Sequence, residues 1–164
     1  MPVPGYELDD DAARIDVGVV VGFLGTEAYW HRWRTPADVE RQLAAAWRVV
    51  GAYETATGTM VGFARAVSDG VAIAYLSDVF VLAAHRGRGL GAALLEEMIE
   101  RGPGAEFRWM LHTADAHALY ARFGFAAPGP STMERPGARP SVGGPSGGTP
   151  GPDGGSATSP GDLG

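Results

Sequence analysis

One stretch constrains this chain more than any other. It reads Val79-Phe80-Val81-Leu82-Ala83-Ala84-His85-Arg86-Gly87-Arg88-Gly89-Leu90-Gly91-Ala92-Ala93-Leu94-Leu95. An apolar strand from Tyr75 to Leu82 enters a short polar loop, and three alternate glycines then open a helix. A helix start carries unpaired N–H groups and about half a positive charge from the aligned peptide dipoles. Glycine lets a ligand reach that backbone, so strand, glycine loop and helix together form an anion cradle. Arg86 and Arg88 add guanidinium groups that can fork onto phosphate oxygens. The pattern points to a phosphorylated cofactor. The helix behind it is amphipathic: Leu90, Leu94, Leu95, Met98 and Ile99 form one apolar face, and Glu96, Glu97 and Glu100 lie opposite.

Three other readings of the loop compete. Gly87-x-Gly89-x-x-Ala92 also satisfies the loose dinucleotide fingerprint, which needs an acidic residue at the end of the next strand. That strand ends at His112-Thr113 without one. A P-loop requires Gly-Lys-Ser/Thr, which is absent. The remaining alternative is a glycine turn that only packs a helix close to a sheet.

Upstream, Tyr6–Leu8 is a short strand and Asp9-Asp10-Asp11 a solvated loop. Residues 16–30 fit two structures. Val17, Val19, Val20, Val21 and Phe23 suit a buried strand. Asp16 as N-cap, with 17, 20, 21, 24 and 28 at helical spacing, suits a helix. Thr35-Pro36 starts a further helix with Val39, Leu43, Ala46 and Trp47 on its apolar side. Val49–Glu54 and Met60–Val67 read as a hairpin across Thr57-Gly58, with Ile73–Leu82 continuing the meander. After the glycine helix, Gly102-Pro103-Gly104 is a stop. Phe107–Thr113 reads as a strand, Ala114–Arg122 as a helix, and Phe125–Ala127 and Ser131–Glu134 as closing strands. From Pro136 onward, ten glycines and six prolines crowd the last 29 residues. Such a segment cannot bury enough apolar surface to offset its ordering entropy. The expectation is a folded domain over 1–135 and a disordered tail over 136–164.

The spacing Arg86-x-x-Gly89-x-Gly91, five residues after Val81, resembles the acetyl-CoA signature of the GNAT superfamily of N-acetyltransferases. The segment Ala116-x-x-Leu119-Tyr120-x-x-x-Gly124-Phe125 is similar to a second segment of that family, in the same order along the chain. Ala83 stands where the family often has proline. The resemblance covers the folded domain and is most specific over 75–125. It implies an α/β fold with a mixed, mostly antiparallel sheet of six or seven strands and helices on both faces, and it selects the helix over the strand for residues 16–30. It also implies direct acetyl transfer from acetyl-CoA to a primary amine, with the cofactor in a gap between splayed strands.

By the same resemblance, Phe80, Val81, Arg86, Gly87, Arg88, Gly89, Leu90, Gly91 and Ala92 bind the cofactor. The Val81 N–H meets the thioester oxygen, and Tyr120 protonates the departing thiolate. Taken alone, Tyr120 is equally the amphipathic tyrosine of a packed helix. Asp78 either binds or deprotonates the amine, or is a salt bridge or cap stabilising the sheet edge, since a carboxylate in a half-buried strand needs a partner. Tyr29, Trp30 and Trp33 would wall the acceptor pocket, or serve only as core. Thr113 and Asp115 stand near a position where many relatives carry Asn. A non-catalytic acyl-CoA sensor or partner module on the same fold would carry the same loop.

Composition narrows the classes. A net charge of −6 argues against a nucleic-acid partner. All 13 basic residues are arginine, and the acidic balance favours cationic partners, including a small-molecule or peptide amine. Without cysteine there are no disulfides or thiolate sites, and the four histidines show no metal-ligand spacing. No apolar run approaches a membrane span and no signal peptide is visible, so the expectation is a cytoplasmic protein with no membrane partner. The resemblance adds a possible homodimer.

Overall fold

A computed structural model describes residues 2–30 and 33–139. Five strands form one sheet in chain order: β1 (Tyr6–Asp9), β2 (Arg48–Glu54), β3 (Met60–Ser68), β4 (Ile73–Val81) and β5 (Arg108–Met110). The first four run antiparallel, and β5 lies parallel to β4. The hairpin and meander expectations agree with this layout. The expected six or seven strands do not: among the described residues there are five. Phe125–Ala127 and Ser131–Glu134 join no ladder. They are short runs flanking Pro128-Gly129-Pro130, where each proline lacks the N–H a ladder needs.

β2 and β3 are buried almost throughout, because helices cover both faces of the sheet. On one face, α1 (Val17–Thr26) and α2 (Pro36–Ala44) pack Val20, Phe23, Leu24 and Val39 onto Val49, Tyr53, Met60, Phe63 and Phe80. Residues 17–26 are thus helical despite their β-branched run. The Asp16 carboxylate accepts the Val19 N–H at 3.1 Å, and burial of every third or fourth residue outweighs propensity. The buried stripe is Val20, Phe23, Leu24 and Ala28, rotated from the expected one, and Val17 is exposed. Thr35 and Asp38 form a capping box at α2, with Pro36 at its first turn.

On the other face, α3 (Leu90–Leu95) continues as a wider π-helical turn over Glu96–Glu100. All five residues of the expected apolar face are at most 4% exposed. The wide turn ends where Arg101 N–H reaches the Glu96 carbonyl at 3.0 Å. Two carbonyls near this end are taken up by a long-range cation. Arg48 Nη1 donates to Glu97 O at 2.6 Å and Met98 O at 2.8 Å, and Arg48 Nη2 pairs with Asp10 at 2.9 Å. A positive charge at a helix C-terminus is favourable. Asp10, in an exposed loop as expected, also anchors the guanidinium that closes this helical end.

Gly102 makes room for that guanidinium. A Cβ there would lie 2.0 Å from Arg48 Nη1 and 2.8 Å from Met98 O. Gly102→Ala is expected to destabilise the fold by about 1–3 kcal/mol, the usual cost of overpacking. Urea unfolding should show a lower midpoint with an unchanged slope.

Candidate active site

β4 and β5 pair only at Ile73↔Arg108, Ala74↔Trp109 and Tyr75↔Met110. Beyond Tyr75 the two strands part, and Leu111–Thr113 continue without a ladder, so the expected strand 107–113 is only three residues long. The edge of β4 from Leu76 to Val81 is left open along a cleft of about 1160 Å³. Leu82 N–H bonds Val61 O at 2.8 Å. Successive N–H groups alternate sides along a strand, so the Val81 N–H points into the gap. Arg86 Nε caps the Val81 carbonyl at 2.9 Å.

The glycine loop closes one end of the cleft. Gly87 and Gly89 have φ of +75° and +87°, where a side chain is strained, and a Cβ at either would meet nothing within 4 Å. The loop backbone is therefore both conformationally dependent on glycine and open to approach. Ala93 is the first residue after it with a satisfied N–H, bonded to Gly89 O at 3.0 Å. None of the N–H groups of residues 87–92 donates to another described residue. His85, Arg86, Gly87, Gly89, Leu90 and Gly91 line this end, whereas Arg88 and Ala92 lie outside the lining. Arg86 also pairs with Glu27 at 3.0 Å. The Phe80 side chain belongs to the core, stacked on Phe23 at 4.0 Å.

Midway along β4 the strand bulges. Between Phe63↔Phe80 and Arg65↔Ser77 the register slips, and Asp78 takes φ of +52°. Its carboxylate is 2% exposed and saturated. Oδ1 accepts from Arg34 Nη2 at 2.8 Å and Trp30 Nε1 at 2.9 Å. Oδ2 accepts from Arg34 Nη1 at 2.9 Å, Arg65 Nε at 3.0 Å and Arg65 Nη2 at 2.9 Å. Burial alone would raise its pKa. The hydrogen bonds from Arg34 and Trp30 and the charges of Arg65 and Arg34 overcome this and hold it at about 2. A carboxylate with its lone pairs engaged and its pKa held low is a poor base for an amine. The salt-bridge alternative describes its geometry; of its partners, Arg65 has only the local signal of a cation inside an apolar strand, and Arg34, in the segment before α2, has none.

The opposite end of the cleft is aromatic and titratable. Tyr29, Trp30 and Trp33 all line it, but Trp30 is committed to Asp78, and Tyr29 donates to Asp115 at 2.9 Å. The Arg139 guanidinium sits 4.3 Å over the Trp33 ring. Tyr120, on the short helix α4 (His117–Ala121), lines the cleft and packs its ring edge-on to Phe125. Burial, with smaller contributions from Tyr29, Asp115 and Tyr75, pushes its phenol up to about 12. It is therefore fully protonated near neutrality. Tyr75, His112 and Glu134 complete this end. The expected tail from residue 136 falls mostly on 140–164, which lie outside the described residues; Gly137–Arg139 line the cleft.

Asp78→Ala would leave two buried guanidinium groups without their anion, and is expected to cost about 3–5 kcal/mol in equilibrium unfolding. Because folding lowers the carboxyl's pKa from 3.8 to about 2, its contribution is present above pH 4. It is lost as pH falls toward 2. Thermal melts of the wild type between pH 5 and 2 should show this loss, with a shallower decline in Asp78→Asn.

Comparison with known proteins places this geometry. The model of the acetyltransferase (GNAT) family matches residues 23–125. A crystal structure of a protein assigned to the GNAT family from Xanthomonas campestris pv. campestris is 36% identical. The match covers 82% of this chain and 94% of that one, with a TM-score of 0.75. A curated Gibberella zeae protein named as an acetyltransferase is 27% identical over 135 residues, 71% of this chain and 76% of its own length. A Mycobacterium tuberculosis structure in complex with CoA shares the fold at 16% identity and a TM-score of 0.59, covering 73% of this chain and 71% of that one.

Proposed function

The chain belongs to the acetyltransferase (GNAT) family, and on that premise we propose that it moves an acetyl group from acetyl-CoA to a primary amine, the amine attacking directly in a ternary complex. The observation that carries this reading is the run of backbone N–H groups over 87–92 with no partner in the described chain, opening onto a cleft walled by a protonated tyrosine. Unpaired N–H groups at a helix start fit a pyrophosphate, and Gly87 and Gly89 let it touch the backbone. CoA in the related Mycobacterium tuberculosis structure is consistent with this assignment.

Each group then has a task. Acetyl-CoA supplies the activated acetyl group. Residues 87–92 hold its phosphates, and Arg86 fixes the loop between Val81 O and Glu27 rather than acting as a free cation. The gap-facing Val81 N–H is directed at an oxygen that gains negative charge during transfer. The Tyr120 hydroxyl delivers the proton that the leaving thiolate needs. Asp78 holds the bulged strand in shape and takes no proton. Positioning supplies more of the rate than acid–base chemistry, because a thiolate with a pKa near 8.5 is already a fair leaving group.

The test is release of CoA, followed with a thiol reagent, from acetyl-CoA and a panel of primary amines. The protein has no cysteine, so the background is clean. Release stimulated by some amines and not others is the expected result. Tight binding of acetyl-CoA with no release under any amine would favour the sensor reading. Tyr120→Phe should lower kcat about ten-fold or more, with the KM for acetyl-CoA little changed. Wild-type turnover in that variant would remove Tyr120 from the chemistry.

A further inference from the structure

With Asp78 sealed off, the cleft needs another route for the proton that an ammonium acceptor must lose before it can attack. A second polar chain runs along the acceptor end. Tyr75 Oη and His112 Nδ1 are 2.9 Å apart, and His112 Nε2 lies 3.3 Å from Glu134 Oε2. The topology explains the meeting. Tyr75 is opposite Met110 in the last pair of the β4/β5 ladder, and His112 follows Met110 by two residues on the same strand face. The tyrosine and imidazole rings sit 5.7 Å apart, tilted at 45°. Glu134 arrives from the segment that forms no strand, and all three residues line the cleft.

We propose that Tyr75, His112 and Glu134 form the proton-accepting relay of this site, which takes the proton from the acceptor ammonium. The inference rests on the acetyl-transfer reading above and deepens it. In the tautomer that satisfies both contacts, His112 Nε2–H faces the Glu134 carboxylate, and Nδ1 accepts the Tyr75 hydroxyl proton. The ammonium N–H donates to Tyr75 Oη as the Tyr75 proton passes to Nδ1. The N–H bond of the substrate breaks and a new N–H bond forms on the imidazole. The products are a neutral amine and an imidazolium beside Glu134, so charge and protons balance without any further reagent.

Two features support this direction of flow. The His112 side chain is 46% exposed, which gives the imidazolium an exit for its proton to water. Burial, with the charges of Asp78 and Glu134, raises the Tyr75 pKa, so the phenol rests protonated and gives up its proton only as it takes another. The other titratable groups at this end are already assigned: Tyr29 with Asp115, and Tyr120 as the acid. Arg65 acts on Tyr75 from β3 with the opposite sign, and is itself bound to Asp78.

The experiment measures kcat and KM against pH for the wild type, His112→Gln, Tyr75→Phe and Glu134→Gln, with acetyl-CoA and an amine that releases CoA. Acetyl-CoA binding is measured on the same samples. The wild-type pH profile of kcat should carry a limb that rises with pH, because the relay accepts a proton only while its imidazole is neutral. His112→Gln should lose that limb and about ten-fold or more in kcat, with the KM for acetyl-CoA within about two-fold. Tyr75→Phe, which keeps the ring, should lose a comparable factor, and Glu134→Gln a smaller one. A wild-type kcat and pH profile in His112→Gln, in a sample that binds acetyl-CoA normally, would overturn the relay and leave acetyl transfer standing. A wild type that binds acetyl-CoA but releases CoA with no amine would overturn both.

Discussion

The geometry of the cleft depends on a single buried anion. Asp78 sits at a position of β4 where a non-glycine residue takes φ of +52°, a conformation that costs on the order of 1–3 kcal/mol. It persists because five charge-assisted or polar hydrogen bonds converge on its carboxylate from three side chains in two separate parts of the chain. Arg65 ties it to β3, and Trp30 and Arg34 tie it to the segment between α1 and α2. The bulge therefore cannot relax without breaking the contact between the sheet and the helices that wall the acceptor end. Arginine suits this position better than lysine would, since two planar forks can share one carboxylate edge by edge.

That arrangement separates the two ends of the cleft by the kind of group each uses. The glycine end works through backbone: unpaired N–H groups at a helix start, with positive φ at Gly87 and Gly89 keeping them accessible. On the proposed reading it would hold a pyrophosphate without any titrating side chain, and its side chains matter mainly for holding the loop, as Arg86 does. The opposite end works through side chains with ionisable heads, drawn from β4, from the stretch after β5, from α4 and from the C-terminal segment. On the proposed reading, cofactor binding would thereby be decoupled from the proton chemistry of the acceptor.

The same division decides what could be read from the amino-acid order. The shape of the glycine loop is legible because it is local: strand, glycines and helix are contiguous, and the apolar stripe from Leu90 to Ile99 states which face is buried. The hairpin was legible for the same reason. The charge cluster was not, because Asp78 meets Arg34 across 44 residues and Arg65 across 13. A lone acid in a strand announces only that it needs a partner. The missing closing strands were misread because short apolar runs at 125–127 and 131–134 resemble edge strands, while nothing local shows that no paired partner awaits them. Asp10 lies in an exposed loop as its acidic run suggests, but its pairing with Arg48 is long-range and has no local signal.

The two tyrosines of the acceptor end show why residue type alone does not assign chemistry. Tyr75 and Tyr120 both line the cleft and both have raised pKa values, chiefly through burial. Their partners differ. Tyr75 is hydrogen-bonded to an imidazole that can receive its proton. No described side chain hydrogen-bonds to the Tyr120 hydroxyl, so its proton is free to go to whatever base appears in front of it. A reaction that removes a proton from an amine and returns one to a thiolate needs one group of each kind. Under the proposed relay, direction follows from connectivity: the tyrosine with an acceptor behind it would drain protons, and the tyrosine without one would supply them. On this argument, exchanging the roles would require moving the imidazole, not changing either tyrosine.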